Sequence, residues 1–393
     1  MRVAILSALV IVICFQSLLA ITTVPFEVMA EREKLPTELS TVRDPYYPAI
    51  SITPEIGSDV FREYQAYYSL PEMIWPHIAV DIEDRIHLVV TFNNDEAGTP
   101  QSIGYLRSDD LGRSWTEIEY IDTVLNISPI VAASRHSNKV AIVYCHPITA
   151  SAFDSDVLYL ESPDGVTWSR SAITNITNFT TSDTIRAYCD VDAIYDEEDN
   201  LHIVFNAIYS VGGVTSTAAA MLMHWSEATG LDVIASSWYD TYPGSWIRTI
   251  CKPNIGINPV NGNLYATWTQ FLPGDISAGG YSNGEICASV STDNGDTWEP
   301  AHNLTRTATP GCYAGECNSD HWASLAEIVD GTLHIVYIND KDAGGIPQGE
   351  GTWTNNPVKY LAIPAASLME LSLIHISEPT RPLYISYAVF CLK

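Results

Sequence analysis

One short pattern recurs in this chain and restricts its fold more than any other feature. Residues 108–115 (SDDLGRSW) and 291–298 (STDNGDTW) both read Ser-x-Asp-x-Gly-x-Ser/Thr-Trp, and residues 162–168 (SPDGVTW) carry the same pattern with one residue deleted. Ser and Asp side chains of this spacing bond backbone N–H groups inside a tight hairpin, Gly supplies a positive φ, and Trp folds back as an apolar plug. Ser108, Asp110, Gly112, Trp115, Ser162, Asp164, Gly165, Trp168, Ser291, Asp293, Gly295 and Trp298 are therefore expected to build three hairpins of one design.

The hairpins belong to a larger repeat. Each unit opens with an apolar segment, passes a polar turn and enters a β-rich strand: 77–81 then 86–91, 130–133 then 140–144, 191–195 then 201–205, 254–257 then 264–268, and 324–328 then 333–337. A third strand follows at 103–107, 157–161, 221–225, 286–290 and 358–362, and it runs into the hairpin pattern where that survives. Short strands at regular spacing without helical periodicity predict an all-β fold, a β-propeller of four-stranded antiparallel blades. Five units are visible. Closing a ring calls for six, with residues 21–75 supplying strands on one side of residues 76–370 and sequence beyond Glu370 on the other.

With these motifs in place, residues 75–365 resemble the Asp-box (bacterial neuraminidase repeat) propellers of the sialidase-like superfamily. The resemblance implies that the Asp-box hairpins lie at the outer rim, away from any catalytic centre. It also implies three arginines clamping a substrate carboxylate, a Tyr nucleophile activated by Glu, and an Asp acid/base. The first arginine of such a clamp lies in Phe-Arg-Ile-Pro; residues 42–45 (VRDP) keep only Arg43 and Pro45 of it.

The two ends of the chain read differently from its middle. Residues 3–20 form an apolar run behind Met1 and Arg2, as expected of a secretory signal peptide cleaved after Ala20 or Ala30, with an uncleaved membrane anchor as the alternative. Residues 371–393 look like a translated sequencing adapter and are set apart as non-native, so that the natural chain is expected to continue past Glu370. The net charge of −28 argues against nucleic acid or anionic membrane as a partner, and the expected setting is secreted or extracellular, with carbohydrate or glycoprotein as partner. Six cysteines lie between signal and tail; of these, Cys312 and Cys317 are the pair expected to form a disulfide across their Gly-containing loop. No cofactor is expected, except that the acidic turns 81–84 and 196–200 offer the several oxygens calcium prefers, as solvated turns also do.

Propeller ligands bind where inner strands begin, so the segments before those strands are where a site is expected. Arg186 and Arg248 occupy comparable places and could converge on an anion or pair locally, while Tyr188, His77, His321 and Trp322 complete the candidate ligand-binding set. Asp190 and Asp192 alternate on one strand and so face the same way, which suits acid/base catalysis. His87, His202 and His334 recur at one strand position and are expected to serve packing. The function anticipated is glycan recognition at the central face, extending to exo-sialidase activity. The alternatives are a glycoside hydrolase or lyase on another polysaccharide, and a non-catalytic adhesion propeller.

Overall fold

The computed structural model describes residues 49–52, 62–65, 72–93, 101–125, 129–151, 154–180, 182–211, 214–238 and 241–369. The expected signal 1–20, Arg43 and the tail 371–393 lie outside the described residues, as does most of the segment 21–75. Among the described residues no helix is long and apolar enough to cross a membrane.

The chain is all-β and its sheets are antiparallel. Strands β1 (Ala49–Ile52) and β2 (Arg62–Gln65) form a hairpin. Unit 1 follows as β3 (Glu72–Val80), β4 (Ile86–Asn93), β5 (Gln101–Ser108) and β6 (Glu119–Val124). Unit 2 is β7 (Ile130–Ala133), β8 (Val140–Pro147), β9 (Ser155–Ser162) and β10 (Thr174–Asn175), and unit 3 is β11 (Ile185–Tyr195), β12 (Leu201–Val211), β13 (Val214–Ser226) and β14 (Gly230–Trp238). Unit 4 comprises β15 (Ile250–Ile257), β16 (Leu264–Ile276), β17 (Ser282–Ser291) and β18 (His302–Asn303). Unit 5 shows β19 (Ser319–Leu325), β20 (Thr332–Asp340) and β21 (Val358–Pro364). Each unit is a meander in chain order, the arrangement that short alternating strands joined by tight turns favour.

Of the buried clusters among the described residues, four lie between units and one, Met73, Leu88, Val90, Phe92 and Leu106, lies within unit 1. One buried cluster joins Val89, Ile103 and Tyr105 of unit 1 to Val131, Ile142 and Leu160 of unit 2. Similar clusters link units 2 and 3, 3 and 4, and 4 and 5. A single four-stranded sheet has two faces to bury, and its sequence neighbour covers one of them.

The three Asp-box hairpins share one design, and the second and third fasten these interfaces, while Trp115 of the first packs on its own unit. In the first, Gly112 N–H donates to Ser108 Oγ at 2.7 Å and Ser114 N–H to Asp110 Oδ1 at 2.8 Å; the third repeats this with Gly295 on Ser291 and Thr297 on Asp293. The deletion in the second copy shifts the bonds, so that Val166 and Thr167 N–H both reach Asp164 Oδ1. The unit 2 hairpin packs on unit 1, with Trp168 edge-on to Tyr105 at 4.8 Å and Tyr105 hydrogen-bonded to His87 at 2.7 Å. The unit 4 hairpin packs on unit 3 in the same way, with Trp298 against His224 at 5.4 Å and His224 bonded to His202 at 3.0 Å. The recurring histidines thus link the hairpin of the next unit to an acidic turn of their own, since His87 also reaches Asp81 and His202 reaches Asp196.

The first aspartate of each of those acidic turns is held by protein donors. Asp81 Oδ1 accepts from Glu83 and Arg85 N–H while Oδ2 takes Arg85 Nε and His87; Asp196 is filled in the same manner by Glu198, Asn200 and His202. Both carboxylate oxygens of Asp81 and of Asp196 are therefore engaged by the protein. Cys312 and Cys317 form a disulfide with Cα atoms 5.1 Å apart. Cys145, Cys189, Cys251 and Cys287 are free thiols, three of them buried as small apolar groups.

Candidate functional site in the central cavity

The first strands of all five units, β3, β7, β11, β15 and β19, line one cavity of about 420 Å³. Bonds between neighbouring first strands advance together along the chain. Lys252 N–H donates to Asp190 Oδ2 at 3.2 Å and Ile255 N–H to Asp192 Oδ2 at 2.9 Å. Leu325 N–H in turn meets Asn254 Oδ1 at 2.8 Å. The partners rise in step, so β11, β15 and β19 run parallel and enter the cavity from the same end.

A shared irregularity shapes that entrance. The ladder with the second strand breaks between Ile74 and His77, Ala187 and Val191, Cys251 and Asn254, and His321 and Ser324. Each break is a bulge, which re-aims side chains and tolerates the prolines Pro76 and Pro253. Trp75, Lys252 and Trp322 occupy equivalent bulge positions, and all three hold left-handed backbone, with φ of 53°, 52° and 54°. Bulky residues in that region cost on the order of 1 kcal/mol or more apiece, and such strain persists where surrounding structure enforces it.

The register sorts the lining into two layers. Trp75, Asp190, Lys252 and Trp322 form the entrance layer, each two residues before the position paired with the equivalent residue of its second strand (Val89, Val204, Thr267 and Val336; Val143 in unit 2). His77, Ile130, Asp192, Asn254 and Ser324 sit at that position and form the deeper layer. Beyond them Glu327 lines the far end and is paired at 2.6 Å with Arg135, which follows β7.

The two aspartates differ in environment. Asp190 is 5% exposed, and Lys252 Nζ lies 2.5 Å from its Oδ1 while Asn206 Nδ2 donates to its Oδ2 at 2.9 Å. Desolvation lowers the Lys252 pKa, but the Asp190 charge outweighs it and holds the ammonium above its usual range. Lys252 also lies 4.5 Å over the Trp322 ring, a cation–π contact. Among the described residues no cation is paired with Asp192. Enclosure by the inner strands pushes its carboxyl up to about 7, against the pull of the Ile255 and Ala193 backbone bonds and with a small push from Glu327. His77 is pushed below the usual imidazole range, first by desolvation and then by the Lys252 charge. Its ring is open to the cavity, which moderates that desolvation.

The structure brings Asp190, Asp192, His77 and Trp322 together and leaves the other expected residues outside the lining. Arg186, buried, is engaged by Asp154 and by the carbonyls of Asp183 and Ile185. Arg248 stacks on Tyr188 at 4.4 Å, and the Tyr188 hydroxyl donates to the Trp246 carbonyl. His321 is buried against Phe271 and bonded to Ser319, and desolvation brings its pKa down to about 4. No arginine is among the described residues lining the cavity, so Arg186 and Arg248 do not converge there. Sequence reasoning passed over Lys252, Trp75, Asn254 and Ser324 as site residues. Aligning the first strands by their pairing to Val89, Val204, Thr267 and Val336 would have found them, and the shared x-Pro of Trp75-Pro76 and Lys252-Pro253 was the visible signal.

No protein-family model matches the chain, and no curated protein matches it. Among solved structures it is similar to a polysaccharide lyase, a PL25 ulvan lyase bound to -[GlcA(1-4)Rha3S]-, at a TM-score of 0.49 and 8% identity, over 83% of this chain and 74% of that one. It is also similar to an α-L-arabinanase of Penicillium chrysogenum complexed with arabinobiose, at 0.48 and 11% over 81% and 85% of the two chains. A third similarity is to the GH93 α-L-arabinofuranosidase of Fusarium graminearum, also with arabinobiose, at 0.47 and 12% over 82% and 86%. The chain thus bears a distant structural similarity to polysaccharide-active enzymes. Likenesses at this level concern the course of the chain alone, and the chemistry of the cavity rests on its own residues.

Proposed function

We propose that the chain is an exported β-propeller that hydrolyses a polysaccharide at its central cavity. The observation that carries this reading is the placing of two carboxyl groups two residues apart on one strand of the cavity, Asp192 enclosed without a counter-ion among the described residues and pushed up to about 7, and Asp190 ion-paired with Lys252. A protonated carboxyl beside a second, ion-paired carboxylate is what glycoside hydrolysis needs. Asp192 donates its proton to the glycosidic oxygen as the bond to the anomeric carbon breaks. A water attacks that carbon and gives its proton to the Asp190 carboxylate. Trp75 and Trp322 supply apolar faces at the entrance, where a sugar ring stacks.

A propeller with a sixth blade completed outside the described residues accords with the two ends of the repeat. Tyr360 of unit 5 sits where Tyr105 and His224 sit in units 1 and 3 and is bonded to His334, yet it is 61% exposed and no hairpin tryptophan covers it. Export accords with the apolar run 3–20 and with the disulfide. An exo-sialidase would need arginines in the cavity, and the described lining supplies none. Incubation with a panel of polysaccharides, followed by reducing-end and ultraviolet assays, tests the reading. New reducing ends without an unsaturated product are expected, with the rate falling as pH rises above about 7 and the Asp192 acid ionises. An unsaturated product would establish a lyase instead, and retained glycan binding without turnover would leave a lectin-like propeller.

A further inference from the structure

We infer that the cavity takes an uncharged polysaccharide and rejects chains bearing uronate, sulfate or sialate groups. This rests on the carbohydrate reading above and adds to it the chemical class of the substrate. Among the described residues, the acidic and basic side chains lining the cavity, His77 aside, are Asp190, Asp192, Lys252 and Glu327. Lys252 is committed to Asp190 at 2.5 Å and to the face of Trp322. Glu327 is held by Arg135, which does not itself line the cavity. His77 beside Lys252 is held in its neutral form by enclosure and by the ammonium charge. An anionic sugar entering here meets three carboxyl groups and an ammonium already engaged by one of them, inside a chain of net charge −28.

Lys252 is not easily recruited to an anion. Turning it away from Asp190 would leave a carboxylate that is 5% exposed without its counter-ion, and an unpaired buried charge is strongly disfavoured. The entrance layer favours a neutral sugar instead. Trp75 and Trp322 take the same strained bulge conformation as Lys252, and Trp322 is 45% exposed. Aromatic faces recognise the C–H side of a sugar ring and are indifferent to charge, while Asn254 and Ser324 in the layer below offer hydrogen bonds to hydroxyls.

Affinity electrophoresis of the Asp192→Asn variant, in which turnover is blocked, provides the test. Gels are cast with neutral polysaccharides (linear arabinan, xylan, β-glucan) or with acidic ones (polygalacturonate, chondroitin sulfate, polysialic acid). At least one neutral polymer is expected to retard the protein with an affinity tenfold or more above any acidic one, and Trp322→Ala is expected to remove most of that retardation. Adding Asp190→Asn frees Lys252 and is expected to raise affinity for the acidic polymers. Should that variant fail to fold, Glu327→Gln at the half-exposed far end frees Arg135 and predicts a smaller shift in the same direction. Stronger retardation by acidic polymers would overturn the neutral-substrate inference and leave the carbohydrate site standing. Absence of retardation by every polymer would overturn the carbohydrate reading itself.

Discussion

The outer hairpins and the central cavity both depend on aspartates that accept backbone N–H groups, but over very different ranges. At the rim, Asp110, Asp164 and Asp293 take their partners from two to four residues away, so each turn contains everything it needs. In the cavity, Asp190 and Asp192 accept from Lys252 and Ile255, which lie 62 and 63 residues further along the chain. A rim carboxylate is used up by its own loop and reports on the fold. A cavity carboxylate is held by a neighbouring unit and faces the space the strands enclose, so its protonation can serve chemistry.

The largest expected effect separates these two roles directly. Asp192→Asn removes the proposed acid while keeping an acceptor for Ile255 N–H, and it is expected to lower turnover by about 10²–10⁴-fold with an unchanged unfolding midpoint. Asp293→Ala should do the reverse. Loss of the bonds from Thr297 and Ser291 is expected to cost about 1–2 kcal/mol of stability, while turnover at 25 °C stays within about twofold. Urea unfolding and initial rates on the same preparations check both halves. A rate loss in Asp293→Ala as large as in Asp192→Asn would dissolve the distinction between rim and cavity.

The same difference in range explains what the sequence disclosed. The Asp-box hairpins were legible because Ser, Asp, Gly and Trp act within eight residues, and the strand repeat was legible because alternation is local. Asp190 and Asp192 could be placed at a strand entry for the same reason. That Arg186 would be engaged by Asp154 and Arg248 by Tyr188 could not be read, because those partners come from other turns of the fold. Lys252 carried only the x-Pro it shares with Trp75-Pro76 as a signal. Its role depends on a bulge, a left-handed backbone and a tryptophan in the next unit, and none of these follows from its immediate neighbours.

A second contrast concerns two glycines that both hold positive φ. Gly295, at 87°, lies in the third hairpin, and a Cβ there would fall 2.2 Å from Cε1 of the buried His224 ring; Gly262, at 72°, has open space around it. Gly295→Ala is expected to cost about 2–4 kcal/mol, since strain and overlap add, and Gly262→Ala about 1 kcal/mol from strain alone. Chemical denaturation measures the difference. Equal costs would mean that the hairpin does not bear on unit 3 and that its role as a fastener is wrong.

The smallest effect is a dependence on pH at that fastener. The His224 ring is buried between His202 and the Gly295 turn; desolvation, followed by the His202 charge, lowers its pKa to about 3. The unfolded chain takes up a proton on this residue below about 6.5 while the folded chain does not, so stability is lost as pH falls from about 6.5 towards 3. Between pH 7 and pH 5 the loss from this residue is about 2 kcal/mol. The rim carboxylates act lower down. Bonds to Thr297 and Ser291 overcome desolvation and depress the Asp293 pKa, so its contribution is present above the usual carboxylate range and is lost only as pH falls through it. His224→Gln should therefore flatten the pH 7 to pH 5 segment of the stability curve and leave the fall below about pH 4 in place. His77, open to the cavity, and His321, buried, also have lowered values, which gives the comparison its edge. If wild-type and variant curves run parallel, the sensitivity belongs to those histidines near the cavity entrance, and the unit interface at the rim is the pH-insensitive region of the two.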